Sequence, residues 1–129
     1  MKKKVNMSTM IIDDIVRDGE LTQDDALDAL ENAAESANEA LPKARAKCNT
    51  DAEREKVQTD RNIVVLSYVK SEKKALQCTG PLFEKIAEDL RAEAGSVKQK
   101  ANKLTDAVEA INLLSDLVRL AASLALAFG

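Results

Sequence analysis

The C-terminal half of the chain carries two interleaved series of apolar residues, each repeating every seven positions. One series holds mostly large side chains and the other mostly small ones, at alternating spacings of three and four. On an α-helix this spacing places both series along one narrow apolar seam, which another helix must cover. The large series is Phe83, Leu90, Val97, Leu104, Ile111, Val118 and Ala125, and the small series is Ala87, Ala94, Ala101, Val108, Ser115 and Ala122. The pattern predicts closely packed helices.

The N-terminal third predicts one short and one long helix. Residues 8–18 place apolar side chains opposite acidic ones and end at Gly19, which indicates a short amphipathic helix lying across the bundle as a lid. Thr22 is a helix N-cap, and the helix it begins is predicted to run to Lys47, with Pro42 as a kink or break. The apolar face of this long helix consists mostly of alanine: Ala26, Leu27, Leu30, Ala33, Ala34, Ala37, Ala40, Leu41 and Ala44.

The next helix is predicted to begin at a capping box formed by Thr50 and Glu53, so that it makes an antiparallel hairpin with the long helix before it. Its centre is the apolar run 63–69, which local propensity alone would assign to a strand. No second strand is present in the sequence to pair with this run, and we therefore expect a fully buried helical stretch. The helix is predicted to continue to Cys78 and to end at 79–81.

From Pro81 onward the sequence allows two arrangements. Gly95 and Ser96 could end one helix and begin another, which would give a compact bundle within one chain. The seven-residue series run through Gly95 without a change of phase, and they favour one continuous helix. A continuous helix would leave half of its seam uncovered, so that a second copy or a different protein would have to cover it.

Composition supports a single all-α domain spanning residues 1–129, with 1–7 as a flexible leader. Hydrophobic residues make up 45% of the 129 positions but aromatic residues only 2%, which suits close helix packing better than a β-sandwich. The predicted fold is an antiparallel helical bundle with long Ala-rich helices and a short N-terminal helix. It would contain coiled-coil packing along the seam.

The residue types also restrict the chemistry. The chain has no histidine, the usual proton-transfer group and metal ligand at neutral pH, and we expect no catalytic residue, cofactor or metal site. A net charge of -3 does not indicate a nucleic-acid partner. Asp13 and Asp14 interrupt the apolar stretch that a secretory signal would need, which predicts a cytoplasmic protein. Cys48 and Cys78 are expected to be free thiols.

The stretch Leu120–Phe128 differs from the rest of the chain because it is apolar all round the helix. It either packs inside the bundle or inserts into a bilayer after a conformational change. In the second case, the membrane-contacting residues would be Leu120, Leu124, Leu126 and Phe128.

These features predict a small, non-enzymatic helical-bundle protein of the immunity, antitoxin, chaperone or adaptor type. It would bind a protein partner, or form a homo-oligomer, along an Ala-rich seam. The interacting residues predicted on this seam are Val108, Ile111, Val118, Ala122 and Phe128. The alternative is a membrane-active helical protein, such as a component of an α-helical pore-forming system, that inserts its apolar C-terminal helix.

Overall fold

The computed structural model describes residues 21–129. The predicted N-terminal helix at 8–18 and the leader at 1–7 lie outside the described residues. Across the described part the chain forms four α-helices and no strand, which confirms the all-α fold and a packed helical bundle. The helices are α1 (Gln23–Lys47), α2 (Asp51–Glu72), α3 (Pro81–Lys100) and α4 (Ala107–Ala125), and short 3-10 turns follow α3 (Ala101–Lys103) and α4 (Leu126–Phe128).

Helix α1 begins as its sequence predicts and passes through Pro42 without ending. The hydroxyl oxygen of Thr22 accepts a hydrogen bond of 3.1 Å from the backbone N–H of Asp25, which caps the helix. Its alanine face lies in the core, while its carboxylates face solvent. The buried alanines are Ala26, Ala29, Ala33, Ala34, Ala37, Ala40 and Ala44. Small side chains let neighbouring helices approach closely, and α1 packs against each of the other three.

Helix α2 begins at the predicted capping box but ends earlier than predicted. The backbone N–H of Glu53 donates to Thr50, and the Glu53 carboxylate accepts from the Thr50 N–H. The helix stops at Glu72, so the prediction that it continues to Cys78 is wrong. Residues 73–80, called the strap below, instead cross the end of the bundle. They do so because α2 and α3 occupy opposite corners, and a connection between opposite corners needs an extended segment.

Hydrogen bonds hold the strap against both neighbouring helix ends. The backbone N–H groups of Gln77 and Cys78 donate to the Ala127 carbonyl oxygen at 2.7 and 3.1 Å. On the other side, the N–H of Leu21 donates to the Thr79 carbonyl oxygen at 2.8 Å. The later part of the strap, residues 77–79, is therefore held by backbone hydrogen bonds at the point where α1 begins and α4 ends, while the N–H groups of Lys73 and Lys74 donate to the last turn of α2.

The long continuous helix predicted from Pro81 is wrong, and so is the alternative break at Gly95. Gly95 lies inside α3, and the chain turns between Ala101 and Asp106. Asp106 caps α4 by accepting a 2.9 Å hydrogen bond from the Glu109 N–H, and the Glu109 carboxylate accepts from the Thr105 N–H at 2.9 Å. This reciprocal cap offsets the loss of helical hydrogen bonds at the turn.

The seven-residue register moves by one position at this turn. The predicted seam is buried from Ala87 to Leu104, but the core positions of α4 lie one residue before those of the predicted series. They repeat every seven residues as well: Ala107, Leu114 and Ala121 form one set, and Ala110, Leu117 and Leu124 form the other. Because α4 packs back against the other helices with this second set, the chain covers its own seam, and burial does not require a second copy.

Contacts between helices reveal their relative directions. Residue numbers run oppositely in the α1–α2 pairs Arg45–Gln58 and Asn38–Arg61. They rise together in the α1–α3 pairs Asp28–Arg91 and Ser36–Ala94, and again where Lys43 donates to Asn102 in the turn after α3. Helices α3 and α4 line two common cavities, and from one cavity to the other the residue numbers rise along α3 while they fall along α4. The neighbours α1 and α3 therefore run in the same direction, as do α2 and α4, and a wholly antiparallel bundle is not confirmed.

Candidate functional site

Helix α2 buries polar side chains where the other helices bury apolar ones. Its core positions again repeat at spacings of three and four, but three of the five are polar: Val57, Asp60, Val64, Ser67 and Ser71. The apolar run 63–69 contributes only Val64 fully to the core. Because serine and aspartate occupy three of the five buried positions of α2, some of its apolar residues lie on the outside of the helix.

The buried carboxylate of Asp60 is the polar centre of the α2–α4 contact. Its Oδ1 accepts from the Lys56 ammonium at 2.9 Å, and its Oδ2 accepts from the Ser115 hydroxyl of α4 at 3.3 Å. Lys56 is half exposed, so its charge keeps contact with water while it pairs with Asp60. The hydrogen bond places Ser115 of α4 beside Asp60 of α2 and so relates positions along the two helices.

The expectation that the apolar run of α2 is fully buried is wrong. Ile63 is 36% exposed and Leu66 is 49% exposed, and Val65 and Val69 are only partly buried. Leu66 and Val65 line a shallow groove towards α1, next to Asn38 and Arg61. The heptad positions of α2 explain the outcome, because Asp60, Val64 and Ser67 point inward and turn Ile63 and Leu66 outward.

Four of the five predicted seam residues form a stripe along α4. Val108 is 65% exposed and Ala122 is exposed, while Ile111 and Val118 are partly buried against the core. Their numbers differ by three, seven and four, so they share one face of the helix. Phe128, the fifth residue, is buried in the core, because the 3-10 turn at the end of α4 directs it inward.

Ile63 and the α4 stripe lie on the two sides of the α2–α4 contact, whereas Leu66 lies further round α2, towards the groove against α1. Ile63 lies three residues after Asp60, and Val118 lies three residues after Ser115, so the Asp60–Ser115 hydrogen bond brings the two turns to the same level. Because α2 and α4 run in the same direction, residue numbers rise together along the two helices, and both exposed sets extend along the bundle in that direction. We call this surface the outer strip: Ile63 and Leu66 of α2, with Val108, Ile111, Val118 and Ala122 of α4.

Lysines mark both ends of the outer strip on the α2 side. Lys56 and Lys70 lie seven residues before and after Ile63, which places them on the same helix face, and both reach solvent. The α4 residues of the strip carry no charge. Asp60, the carboxylate on this face of α2, is buried and paired with Lys56. The Lys56 charge is therefore balanced by Asp60, whereas Lys70 pairs with no carboxylate among residues 21–129. The sequence pattern found the α4 half of this surface and missed Ile63 and Leu66.

A second depression lies between α3 and α4, but its charges are mixed. It has a volume of about 330 Å³ and is lined by lysines as well as carboxylates. The buried Oε2 of Glu93 accepts no hydrogen bond from the described residues, and the Lys100 ammonium lies 3.9 Å away. No group of three or more potential metal ligands occurs within residues 21–129.

The thiols and the phenol lie in separate places. The Cys48 thiol is buried and donates to the Ala44 carbonyl oxygen, and burial raises the pKa of this thiol. Cys78 is exposed on the strap, and both cysteines are free. The Tyr68 hydroxyl donates to Glu72 at 2.9 Å, and this hydrogen bond, together with burial, raises the pKa of Tyr68 to about 12.

The residues predicted to contact a membrane are mostly in the core. Leu120, Leu124 and Phe128 are buried, and only Leu126 faces solvent. The stretch Ala107–Phe128 is nevertheless long and apolar enough to cross a bilayer, with a mean hydropathy of 1.6 over its most apolar window. Such a stretch is also typical of the core helix of a water-soluble protein.

Comparisons with known proteins add no relative. No protein-family model, no curated protein and no solved structure matches this chain.

Proposed function

We propose that this protein is a non-enzymatic helical-bundle protein that binds a helical segment of another protein along the outer strip. One observation carries the proposal: α2 keeps polar side chains inside and exposes Leu66 and Ile63, and Ile63 lies level with Val118 in the apolar stripe of α4. Exposed large apolar side chains cost free energy in water, and contiguous ones are typical of protein-binding surfaces.

The shape of the strip suits one amphipathic helix. From Val108 to Ala122 the strip covers 15 residues of α4, and the 14 steps between them span about 21 Å at the rise of an α-helix. A partner helix of four turns would match this length. It would place apolar residues at spacings of three and four against the strip, as in other helix-in-groove complexes.

The charge of the strip specifies the partner further. Lys56 and Lys70 stand at its two ends on α2, and the stripe of α4 is uncharged. Because Asp60 already balances Lys56, a partner helix with a carboxylate opposite Lys70 would complement the unpaired charge and would be selected over a basic helix. The proposed function is therefore capture of an amphipathic helix with such a carboxylate, in the manner of an immunity protein, antitoxin, chaperone or adaptor.

The first experiment identifies the partner and tests the strip together. In one variant of the protein, a photo-crosslinking amino acid replaces Ala122 in the cell. In a second variant the same amino acid replaces Leu82, an exposed apolar residue away from the strip. We expect a specific crosslinked protein from position 122 and not from position 82. Crosslinks from both positions, or from position 82 alone, would contradict the assignment.

Binding of the identified partner is then measured with purified proteins. Ile63→Asp should weaken binding by about tenfold or more, because it places an unpaired charge in the centre of an apolar contact. Leu82→Asp serves as the matched control and should leave binding unchanged. If a second copy of this chain is the crosslinked species, sedimentation velocity will show a dimer that Ile63→Asp dissociates, and the strip will then be a homo-oligomer interface.

The apolar Ala107–Phe128 stretch supports one further candidate, a membrane-active protein. In this case α4 would leave the bundle, because Leu120 and Leu124 are core residues. Flotation with anionic vesicles, followed by amide hydrogen exchange, tests it. Flotation with loss of protection across Leu120–Phe128 would favour insertion. Retained protection, with the protein staying in solution, would favour partner binding.

A further inference from the structure

The depression between α3 and α4 lies beside the turn that joins the two helices, and we call it the turn cavity. Its volume is about 330 Å³. Small-molecule sites in proteins measure about 300–1,000 Å³, so the turn cavity has room for a small ligand only. Charged and apolar side chains line it together: Glu93 and Lys100 of α3, Lys103 and Leu104 of the turn, and Leu113 and Asp116 of α4.

One oxygen atom of Glu93 is the unusual feature of the turn cavity. The Glu93 side chain is 20% exposed, and its Oε2 atom is buried although it accepts no hydrogen bond from residues 21–129. The ammonium nitrogen of Lys100 lies 3.9 Å from this oxygen, which is too far for a hydrogen bond. A buried carboxylate oxygen without a donor costs free energy, and a ligand that donates an N–H group would offset this cost. Glu93 therefore indicates the cationic end of a ligand.

Two lysines supply the opposite charge at the same cavity. Lys100 and Lys103 are exposed, and their long, flexible side chains allow both ammonium groups to turn towards a bound anion. Lys103 pairs with no carboxylate in the part of the chain that the structure describes. A ligand with a single sign of charge would meet like charges here as well as opposite ones, because Asp116 also lines the cavity. The lining therefore favours a small ligand that carries both charges.

We propose that the turn cavity binds a free α-amino acid with an apolar side chain. An α-amino acid carries its ammonium and carboxylate groups on one carbon atom, which suits a cavity whose Glu93 and Lys100 charges lie 3.9 Å apart. The ammonium group donates to Glu93, and the carboxylate accepts from Lys100 and Lys103. The side chain packs against Leu104 and Leu113, which are buried and give the cavity its apolar part. No residue of the outer strip lines the cavity, and the inference does not depend on the proposed function.

Titration of the full chain with leucine and with phenylalanine, followed by two-dimensional NMR, tests the proposal. We expect saturable shifts at Glu93, Lys100 and Leu113 with a dissociation constant of about 1 mM or lower for at least one of the two amino acids. Two analogues of leucine separate its charges: 4-methylpentanoate lacks the ammonium group, and 3-methylbutylamine lacks the carboxylate. Each analogue should bind at least about tenfold more weakly than leucine, because it leaves one charged group of the cavity without a partner.

Two pairs of variants assign the charges. Glu93→Gln and Lys100→Met keep the approximate size of each side chain, and each should weaken binding of the amino acid by about tenfold. Glu88→Gln and Lys98→Met are the matched controls, because both residues are exposed on α3 outside the cavity lining, and they should leave binding unchanged. Thermal melting checks that all four variants keep the bundle.

Three results would overturn the proposal. The first is the absence of saturable shifts from either amino acid up to about 10 mM. The second is binding that Glu93→Gln leaves unchanged, since the ammonium group would then lie elsewhere. The third is equally tight binding of leucine and 4-methylpentanoate, which would make the turn cavity a site for simple anions at Lys100 and Lys103.

Discussion

Helices α1 and α2 are neighbours of similar length, yet they distribute their side chains in opposite ways. Helix α1 places seven alanines in the core and its carboxylates in water. Helix α2 places Asp60, Ser67 and Ser71 in the core and leaves Ile63 and Leu66 exposed. Burial therefore follows position on the helix and not hydrophobicity of the segment. The more apolar run of the two belongs to the helix that contributes less to the apolar core.

The difference indicates two different roles. Alanines allow α1 to touch all three other helices, so α1 organises the bundle. Helix α2 has polar side chains at three of its five buried positions, and Ile63 and Leu66 remain available at the surface. A helix that buries polar side chains and exposes apolar ones is suited to binding a partner, and the exposed apolar residues of α2 form part of the outer strip.

The largest expected effect comes from overfilling the alanine face of α1. Ala33→Leu inserts three heavy atoms at a position with no exposed surface, and it should lower the free energy of unfolding by about 1–3 kcal/mol. Urea denaturation measures the change. Ala46→Leu, on the exposed side of the same helix, is the control and should stay within about 0.5 kcal/mol. A neutral Ala33→Leu would contradict close approach at α1.

Two buried serines sharpen the comparison. The Ser36 hydroxyl of α1 donates across to the Ala94 carbonyl oxygen of α3 at 2.8 Å, whereas the Ser67 hydroxyl of α2 donates to Ile63 of its own helix. Ser36→Ala should therefore cost about 1 kcal/mol, and Ser67→Ala should lie within about 0.5 kcal/mol of zero. Thermal melts of the two variants give the difference. Equal losses would mean that the inter-helix bond adds no stability.

Removing the buried charge of Asp60 in α2 should lower the free energy of unfolding by less than its burial suggests. Asp60→Asn keeps an oxygen acceptor for Ser115 and loses the charge pair with Lys56. Because Lys56 is half exposed and can be solvated alone, the loss should be less than about 1 kcal/mol. Denaturation at low and high salt checks this value. A loss of several kcal/mol would show that Asp60 holds α2 in place.

The smallest effect concerns Tyr68, the single tyrosine of the chain. Its pKa is raised to about 12, mainly by the hydrogen bond to Glu72. The raised value favours the folded protein below pH 10, and this contribution is lost as the pH rises from 10 to 12. Ultraviolet titration should place the folded transition near pH 12 and that of Glu72→Gln closer to 10. Identical titrations would contradict the hydrogen bond.

The sequence predicts a large part of this fold because local signals determine it. Thr22 and Thr50 with Glu53 give the starts of α1 and α2, and the alanine spacing gives the core face of α1. The break after Lys100 was missed because the strongest periodic pattern continues through it. The correct signals were present as the cap at Asp106 and Glu109 and as a second heptad one residue earlier.

Other features depend on the whole bundle. The end of α2 at Glu72 follows from the diagonal position of α3, which no local pattern encodes. For the proposed site, the periodicity correctly placed Val108, Ile111, Val118 and Ala122 on one face of a helix, and their role in binding stays a prediction. It wrongly placed Phe128 with them, because it assumed that the helix continues to the last residues. Ile63 and Leu66 were missed because an apolar run was taken as buried. Only the polar core of α2 explains their exposure.

The hydrogen bonds of the strap impose an order on folding during synthesis. Gln77 and Cys78 cannot pair with the Ala127 carbonyl until about 50 further residues have left the ribosome, an interval of several seconds at ordinary elongation rates. The hairpin of α1 and α2 is complete long before then. The nascent chain therefore waits with one end of its bundle open, and this end closes only when α4 arrives.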